Sequence, residues 1–340
     1  MLSRSWLFAF LAGLGGTAAK PVDQVCPHDV VVKRNFNFLC INQSGPEFGE
    51  GNIPGVKNKD YVWPNMSTTD SYIAKGMNTF RINILAERGV VGKNQKGAFA
   101  TEYINDLKAT VKAYTDKGQY AIICPHNYGR WYGQVITDVD AFQGYWKNLA
   151  SLFKDNNKVI FDTNNEYHDM DQSLVVKLNQ AAINGIRAAG ATTQYITVEG
   201  NVWSGAWSWV SSGNAATMGN LTDPSNKIIY QMHQYLDADS SGTHDACVSS
   251  TIGVERVKAA TAWLRKEKKV GFIGEFAAGN NPVCKQAVDG MLKFLVANSD
   301  VWWGVCWWSA GPWWGEYMFD MEANKGVAWK SYVDLIRKHA

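Results

Sequence analysis

Beyond residue 20, the sequence has no run of about 18 apolar residues, the length that a membrane-spanning helix requires. Its formal net charge of +2 is nearly neutral, and no stripe of Lys or Arg favours nucleic-acid binding. No glycine-rich phosphate motif follows the first predicted strand, no serine nucleophile elbow is present, and no His/Cys set has zinc-site spacing. We therefore expect no membrane span, no nucleic-acid partner, no cofactor and no required metal.

The sequence also lacks internal repeats, low-complexity stretches and a Ser/Thr/Pro-rich linker to a second module. Hydrophobic residues make up 46% of the chain and charged residues 19%, as in globular proteins with a sizeable core. We predict a single domain over residues 20–340 that functions as a monomer.

The first residues have the pattern of a secretion signal. Arg4 supplies the positive charge, residues 6–14 the short apolar run, and Thr17-Ala18-Ala19 the small-residue cleavage site. We predict a signal peptide over residues 1–19 and a secreted, extracellular protein. A retained N-terminal anchor is the alternative.

Six cysteines would then fold in an oxidising compartment. Cys247 and Cys284 each lie just beyond a predicted strand at the same end of the fold, and we predict a disulfide between them. Three others lie inside apolar strand runs, where small buried thiols are common. These three are Cys40, Cys124 and Cys306, and Cys26 has no assigned role.

Three Asn-X-Ser/Thr sequons are candidate glycosylation sites, at Asn42, Asn65 and Asn220. Asn42 falls at the end of a predicted strand, where burial would prevent modification. Asn65 and Asn220 are therefore the better candidates.

Apolar strand runs alternate with helical patterns along the whole chain. The predicted strands are residues 36–41, 79–84, 120–125, 159–163, 195–198, 227–232, 270–274 and 302–307. The main predicted helices are 102–117, 140–154, 174–189, 253–266, 283–297 and 328–339. Eight strands alternating with helices predict an α/β fold, a (β/α)8 TIM barrel, with an open doubly wound sheet as the alternative.

Chemically active side chains recur where these strands end. The stretch from Val159 to Asp169 changes from an apolar strand to a polar cluster centred on Glu166, and Glu275 ends the seventh strand. In a barrel such ends converge on one mouth, so the two carboxylates would face each other. Two facing carboxylates can cleave a glycosidic bond, and 15 Trp, nine of them within 203–209 and 302–314, suit sugar rings.

The order and spacing of these motifs resemble glycoside hydrolase family 5, in particular its secreted fungal endo-β-1,4-glucanases, or cellulases. The matching segments are Phe80-Arg81, residues 125–130, 162–172, 232–237, 273–276 and 307–314. Tyr167 stands where most members have Pro, but a subset of the fungal enzymes shares this Tyr. The resemblance covers most of the chain and implies hydrolysis of cellulose and related β-glucan polysaccharides.

The resemblance implies a role for each strand-end residue. Glu166 would be the general acid/base and Glu275 the nucleophile of a retaining, double-displacement reaction. Arg81 and Tyr235 would keep Glu275 ionised, while Asn165 would bind the sugar 2-hydroxyl. His126 and His233 would line the cleavage subsite and Trp308 would form its floor. The expected sugar platforms along the cleft are Trp203, Trp207 and Trp313.

Several alternatives remain open from the sequence. Arg81 could form a purely structural ion pair, the two histidines could be core residues, and each platform tryptophan could serve packing alone. The same mechanism could act on mannan, mixed-linkage glucan or xyloglucan, or the barrel could bind carbohydrate without cleaving it. The segment Asp237 to Gly242 begins like a calcium loop, but Val248 occupies the position of the bidentate Glu.

Overall fold

The computed structural model describes residues 35–340, so the predicted signal peptide and Cys26 lie outside the described residues. Eight parallel strands form a closed barrel in which each strand pairs with its neighbours in sequence and β1 also pairs with β8. The strands are β1 (Phe38–Gln43), β2 (Thr79–Ile84), β3 (Tyr120–Pro125), β4 (Val159–Asp162), β5 (Tyr195–Glu199), β6 (Ile228–His233), β7 (Gly271–Phe276) and β8 (Trp302–Ala310). Closure confirms the TIM barrel and excludes the open sheet.

The helices follow the strands and surround the barrel. They are α1 (Thr69–Ala74), α2 (Thr101–Thr115), α3 (Val139–Ser151), α4 (Gln172–Ala188), α5 (Asn214–Thr217), α6 (Ile252–Lys266), α7 (Pro282–Ala297) and α8 (Val327–Arg337). Short 3-10 turns occupy Met66–Thr68, Ala86–Gly89 and Met218–Asn220. Among the described residues, no helix is both long and apolar enough to cross a membrane.

Helix α4 illustrates how local sequence fixes these elements. The Asp171 side chain caps the helix by accepting the backbone N–H of Leu174 at 3.0 Å. Buried residues at helical spacing, among them Val175, Leu178 and Ile186, face the barrel. A Cβ at Gly185 would lie 2.3 Å from the Gln143 carbonyl oxygen, so glycine is what allows α3 and α4 to pack closely.

The inward face of the barrel changes from apolar to polar towards the carboxyl ends of the strands. Alternate residues of a strand point to the same side, so Ile160 and Asp162 share the interior, as do Ile229 and Gln231. The lower layer is a separate buried cluster that consists of Phe38, Cys40, Ile122, Ile160, Ile229, Phe272 and Cys306. The polar layer above it forms the floor of the barrel mouth.

Two elements were not predicted, and the ends of several strands differ from the prediction. A small antiparallel hairpin pairs Arg130–Trp131 with Gln134–Val135, and α5 follows the tryptophan-rich segment after β5. Strands β5, β6 and β7 extend one or two residues further than predicted, to Glu199, His233 and Phe276. The polar residues that marked a strand end in the sequence remain in the ladder because the mouth buries them.

The cysteines and one sequon need a correction. Cys40 and Cys306 are not free thiols: they are directly opposite in the β1–β8 pairing and form a disulfide. Their 266-residue separation becomes a short distance only when the barrel closes, which no local pattern reveals. Cys247 and Cys284 form the predicted disulfide, and Cys124 is a buried free thiol.

Asn42 was a poor glycosylation candidate. Its side chain is fully buried, and its amide donates to the carbonyl oxygens of Gly274 at 2.9 Å and Trp307 at 3.3 Å. The other two sequon residues, Asn65 and Asn220, are exposed.

Candidate active site

Two carboxylates and an imidazole meet at the mouth of the barrel. Glu166 lies in the loop after β4, His233 ends β6, and Glu275 lies on β7. One carboxylate oxygen of each Glu and a ring nitrogen of His233 all lie within 4.8 Å of one another. His233 Nδ1 is 2.6 Å from Glu166 Oε1 and 3.6 Å from Glu275 Oε2. The three side chains thus form one cluster of titratable groups.

Arg81 holds this cluster from below. Its buried guanidinium donates through Nη1 to Glu275 Oε1 at 2.8 Å and to Asn42 Oδ1 at 2.9 Å. Nε donates to Asp162 Oδ2 at 2.8 Å, and Nη2 donates to Asn165 Oδ1 at 2.7 Å. The fixed fork of the guanidinium therefore sets the position of Glu275 relative to strands β1 and β4.

Glu275 is buried but well supplied with donors. The Tyr235 hydroxyl donates to its Oε2 at 2.7 Å, in addition to the bond from Arg81. Burial raises the pKa of Glu275 to about 7, against the effects of His233 and Arg81, while the nearby Glu166 also raises it. The donors favour the ionised form that a nucleophile needs.

The two histidines differ in electrostatic environment. Burial is the main cause that lowers the pKa of His126 well below its usual value, with Arg81 adding to it. Burial acts on His233 in the same direction, but three carboxylates outweigh it and hold its pKa well above 6.5. These carboxylates belong to Glu275, Glu199 and Glu166. His233 therefore supplies positive charge between the catalytic candidates.

His126 and Asn165 border a flat aromatic surface. The His126 ring stacks on Trp308, with ring centroids 5.2 Å apart and planes at 17°. His126 Nε2 lies 3.3 Å from Asn165 Nδ2, and Arg81 occupies the Asn165 oxygen. His126 therefore contacts both the fully buried Asn165 amide and the partly exposed ring of Trp308.

Two adjoining cavities share Tyr128, and Glu166 and His233 line one of them. The Trp207 cavity, about 530 Å³, is lined by Tyr128, Glu166, Trp203, Trp207, Tyr235 and Asp239, among others. The Lys93 cavity, about 630 Å³, is lined by Glu50, Glu87, Lys93, His126, Tyr128 and Tyr132, among others. Both have the dimensions of ligand sites in enzymes.

The predicted platform tryptophans are all exposed, but they do not share one location. Trp203 and Trp207 are 46% and 51% exposed and line the Trp207 cavity. Trp203 stacks on His168 at 4.6 Å between ring centroids, and the Arg256 guanidinium lies 5.7 Å from the Trp207 ring. Trp313 is 41% exposed but lines neither cavity.

Sequence reasoning missed three buried polar residues that surround Arg81. Asp162 ends β4, Glu199 ends β5 and Gln231 lies on β6, each without solvent exposure. Asp162 and Glu199 are polar residues at the end of an apolar strand, the same pattern that identified Glu166, whereas Gln231 lies two residues before the end of its strand. Asn42, predicted only as a sequon, is another ligand of Arg81.

The segment resembling a calcium loop is held together by its own backbone. Asp237 is buried, and its oxygens accept the N–H groups of Gly242 at 3.1 Å and Thr243 at 3.1 Å. His244 Nδ1 also lies 3.2 Å from Asp237 Oδ2. These hydrogen bonds hold the loop after β6 in its observed conformation.

The chain is similar in sequence to known proteins over most of its length. The family model described as cellulase, glycosyl hydrolase family 5, matches residues 41–311. A probable endo-beta-1,4-glucanase B of Neosartorya fischeri is 55% identical over 304 residues, which cover 89% of this chain and 92% of the relative. Endo-beta-1,4-glucanase B of Aspergillus niger is 54% identical over 89% of this chain and 90% of its own length.

The fold is also similar to those of solved structures. XacCel5A in complex with cellopentaose superimposes with a TM-score of 0.86 at 36% identity, over 90% of this chain and all of that one. Cel5A (EG2) of Hypocrea jecorina superimposes with a TM-score of 0.75 at 29% identity, over 84% and 93% of the two chains.

Proposed function

The chain belongs to the cellulase family, glycosyl hydrolase family 5, and from this premise we propose that it is an endo-β-1,4-glucanase that cleaves cellulose and related β-glucans with retention of anomeric configuration. The observation that carries this proposal is that one carboxylate oxygen of Glu166 and one of Glu275 lie within 4.8 Å of each other. Retaining glycosidases place their carboxyl groups about 5 Å apart, whereas inverting enzymes need roughly 6.5 Å or more to admit a water molecule.

In the first step, Glu275 attacks the anomeric carbon and the bond to the glycosidic oxygen breaks. Glu166 transfers its proton to that oxygen, so the leaving chain departs as an alcohol and the sugar remains esterified to Glu275. Arg81 and Tyr235 orient the attacking carboxylate through their bonds of 2.8 and 2.7 Å. Trp308 and Asn165 hold the sugar ring at the point of attack.

In the second step, water replaces the leaving chain. Glu166 is now deprotonated and accepts a proton from the water molecule. The oxygen of that water attacks the anomeric carbon, and the ester bond to Glu275 breaks. Glu275 regains its negative charge and Glu166 its proton. Two inversions at the same carbon give net retention.

The direction of the bound polymer follows from the position of the acid. Glu166 protonates the departing oxygen, so the leaving part of the chain occupies the Trp207 cavity, which Glu166 lines. The part that becomes esterified occupies the Lys93 cavity. Exposed aromatic faces in the first and a mixed polar wall in the second suit an internal segment of a glucan chain.

We also propose secretion, with residues 1–19 removed as a signal peptide and glycans on Asn65 and Asn220. The positive charge of Arg4, followed by an apolar run and a small-residue cleavage site, supports the signal, and the exposure of both Asn residues supports modification.

Product analysis by NMR on cellopentaose tests the mechanism. Freshly formed reducing ends should be β-anomers, and α-anomers as first products would overturn the retaining mechanism. Carboxymethyl-cellulose should be hydrolysed faster than mannan, and a clear preference for mannan would reassign the substrate.

The Glu275→Gln variant tests the nucleophile. It keeps the shape of the side chain but cannot form the glycosyl ester, so kcat should fall by about 10³-fold or more while cellopentaose binding stays measurable. Unchanged turnover would remove Glu275 from this role.

A further inference from the structure

Glu199 is a buried carboxylate that reaches both catalytic candidates. It ends β5, its side chain has no solvent exposure, and the reaction as described makes no chemical use of it. Its two oxygens face different partners, one belonging to the acid/base loop and the other to the group that holds the nucleophile.

Oε2 of Glu199 accepts the backbone N–H of Glu166 at 2.7 Å. Glu166 has a φ of +48°, a left-handed conformation that is strained for a non-glycine residue and persists only where the surrounding contacts hold it. The preceding N–H, that of Asn165, donates to the Pro125 carbonyl oxygen at 2.9 Å. The backbone N–H groups of Asn165 and Glu166 are thus held by acceptors on β3 and β5, and the acceptor for Glu166 is the carboxylate of Glu199.

Oε1 of Glu199 accepts a hydrogen bond from Arg81 Nη2 at 3.0 Å and another from Gln231 Nε2. His233 Nε2 lies 3.5 Å from the same oxygen. Nη1 of the same guanidinium donates to Glu275. Glu199 is therefore linked to the nucleophile through the rigid guanidinium of Arg81.

We propose that Glu199 is a positioning residue that fixes the backbone of Glu166 and, through Arg81, the carboxylate of Glu275. Its two oxygens set the relative placement of acid and nucleophile. This inference rests on the proposed retaining function and adds a residue that acts through the catalytic pair.

The Glu199→Gln variant tests this role. An amide offers one oxygen, so either the Glu166 N–H or the Arg81 and Gln231 donors must face an NH2 group. Two substrates then separate the effects: cellopentaose, whose leaving group needs protonation, and 2,4-dinitrophenyl β-cellobioside, whose leaving group does not.

We expect kcat/KM of Glu199→Gln to fall about 10- to 100-fold more on cellopentaose than on the dinitrophenyl substrate, as it does for Glu166→Ala. Asp162→Asn is the matched comparator, because Asp162 also binds Arg81 Nε but has no bond to Glu166. It should lower both activities by a similar factor. Glu322→Gln removes a buried carboxylate outside the site and should leave both unchanged.

Equal losses on the two substrates for Glu199→Gln would overturn the role of Glu199 in fixing Glu166, and unchanged kcat/KM on both would overturn its positioning role altogether. In either case an active wild-type enzyme would still support the proposed function. A wild-type protein inactive on both substrates would overturn the function itself, and the inference with it. If circular dichroism shows that Glu199→Gln does not fold, Glu199→Asp replaces it, because Asp withdraws the charge by one methylene. The same comparison then applies: the loss of kcat/KM on cellopentaose against the loss on the dinitrophenyl substrate.

Discussion

Arg81 Nη1 lies 2.8 Å from Glu275 Oε1, with both side chains almost completely shielded from water. The same guanidinium meets two further buried carboxylates, Asp162 at 2.8 Å and Glu199 at 3.0 Å. A lysine ammonium has three donors and no planar fork, so it cannot satisfy this set.

Arg81→Lys should therefore lower kcat/KM on cellopentaose by at least about 100-fold and destabilise the fold by about 3–5 kcal/mol, the usual cost of breaking a buried ion pair. Arg187→Lys is the control, because Arg187 binds Asp223 in a pair that is also buried but lies outside the site. It should lose stability and keep its activity. Retained activity in Arg81→Lys would contradict the role of Arg81.

The barrel and the two principal carboxylates were predictable because each depends on a local pattern. Apolar runs ending in polar residues mark strands, and Glu166 and Glu275 lie where two of them end. Partnerships across the barrel were not predictable. The Cys40–Cys306 disulfide and the contacts of Glu199 with Arg81 join residues 266 and 118 positions apart, and only strand register brings them together.

The pH dependence of activity should reflect Glu275. Burial raises its pKa above the ordinary 4.5, to about 7, and only the ionised form can attack. Activity should therefore decline as pH falls through that pKa, with a midpoint above 4.5 and no higher than about 7 in the profile of kcat/KM.

Tyr235→Phe checks the assignment of that acidic limb. The Tyr235 hydroxyl donates to Glu275 and lowers its pKa, so removing it should move the acidic limb to higher pH. A limb that stays in place or moves to lower pH would show that another group controls it.

Glu47 should make the protein less stable as pH rises. It is buried in the loop after β1, and burial raises its pKa from 4.5 to about 7, although Gly45 N–H donates to Oε2 at 2.6 Å. The unfolded chain releases this proton near pH 4.5 and the folded protein near 7, so the stabilisation present below pH 4.5 is lost between these values.

Glu47→Gln removes this titration. Relative to wild type, its free energy of unfolding should increase by about 3 kcal/mol between pH 4.5 and 7.5, since one pKa unit corresponds to about 1.4 kcal/mol. Urea unfolding at both pH values measures the change. Glu50→Gln alters an exposed carboxylate of the same loop and should show no such difference, and a Glu47→Gln protein that tracks wild type would contradict the prediction.

Trp207 should matter for long substrates more than for short ones. Its ring is 51% exposed in the cavity assigned to the leaving chain, with Arg256 behind it. Stacking of a sugar on an exposed indole contributes roughly 1–2 kcal/mol, so Trp207→Ala should lower kcat/KM on cellopentaose about 5- to 30-fold. The dinitrophenyl cellobioside places no sugar in that cavity, so its kcat/KM should change less than about twofold. Equal losses on both substrates would place the Trp207 effect at the catalytic centre and reverse the assignment of the two cavities.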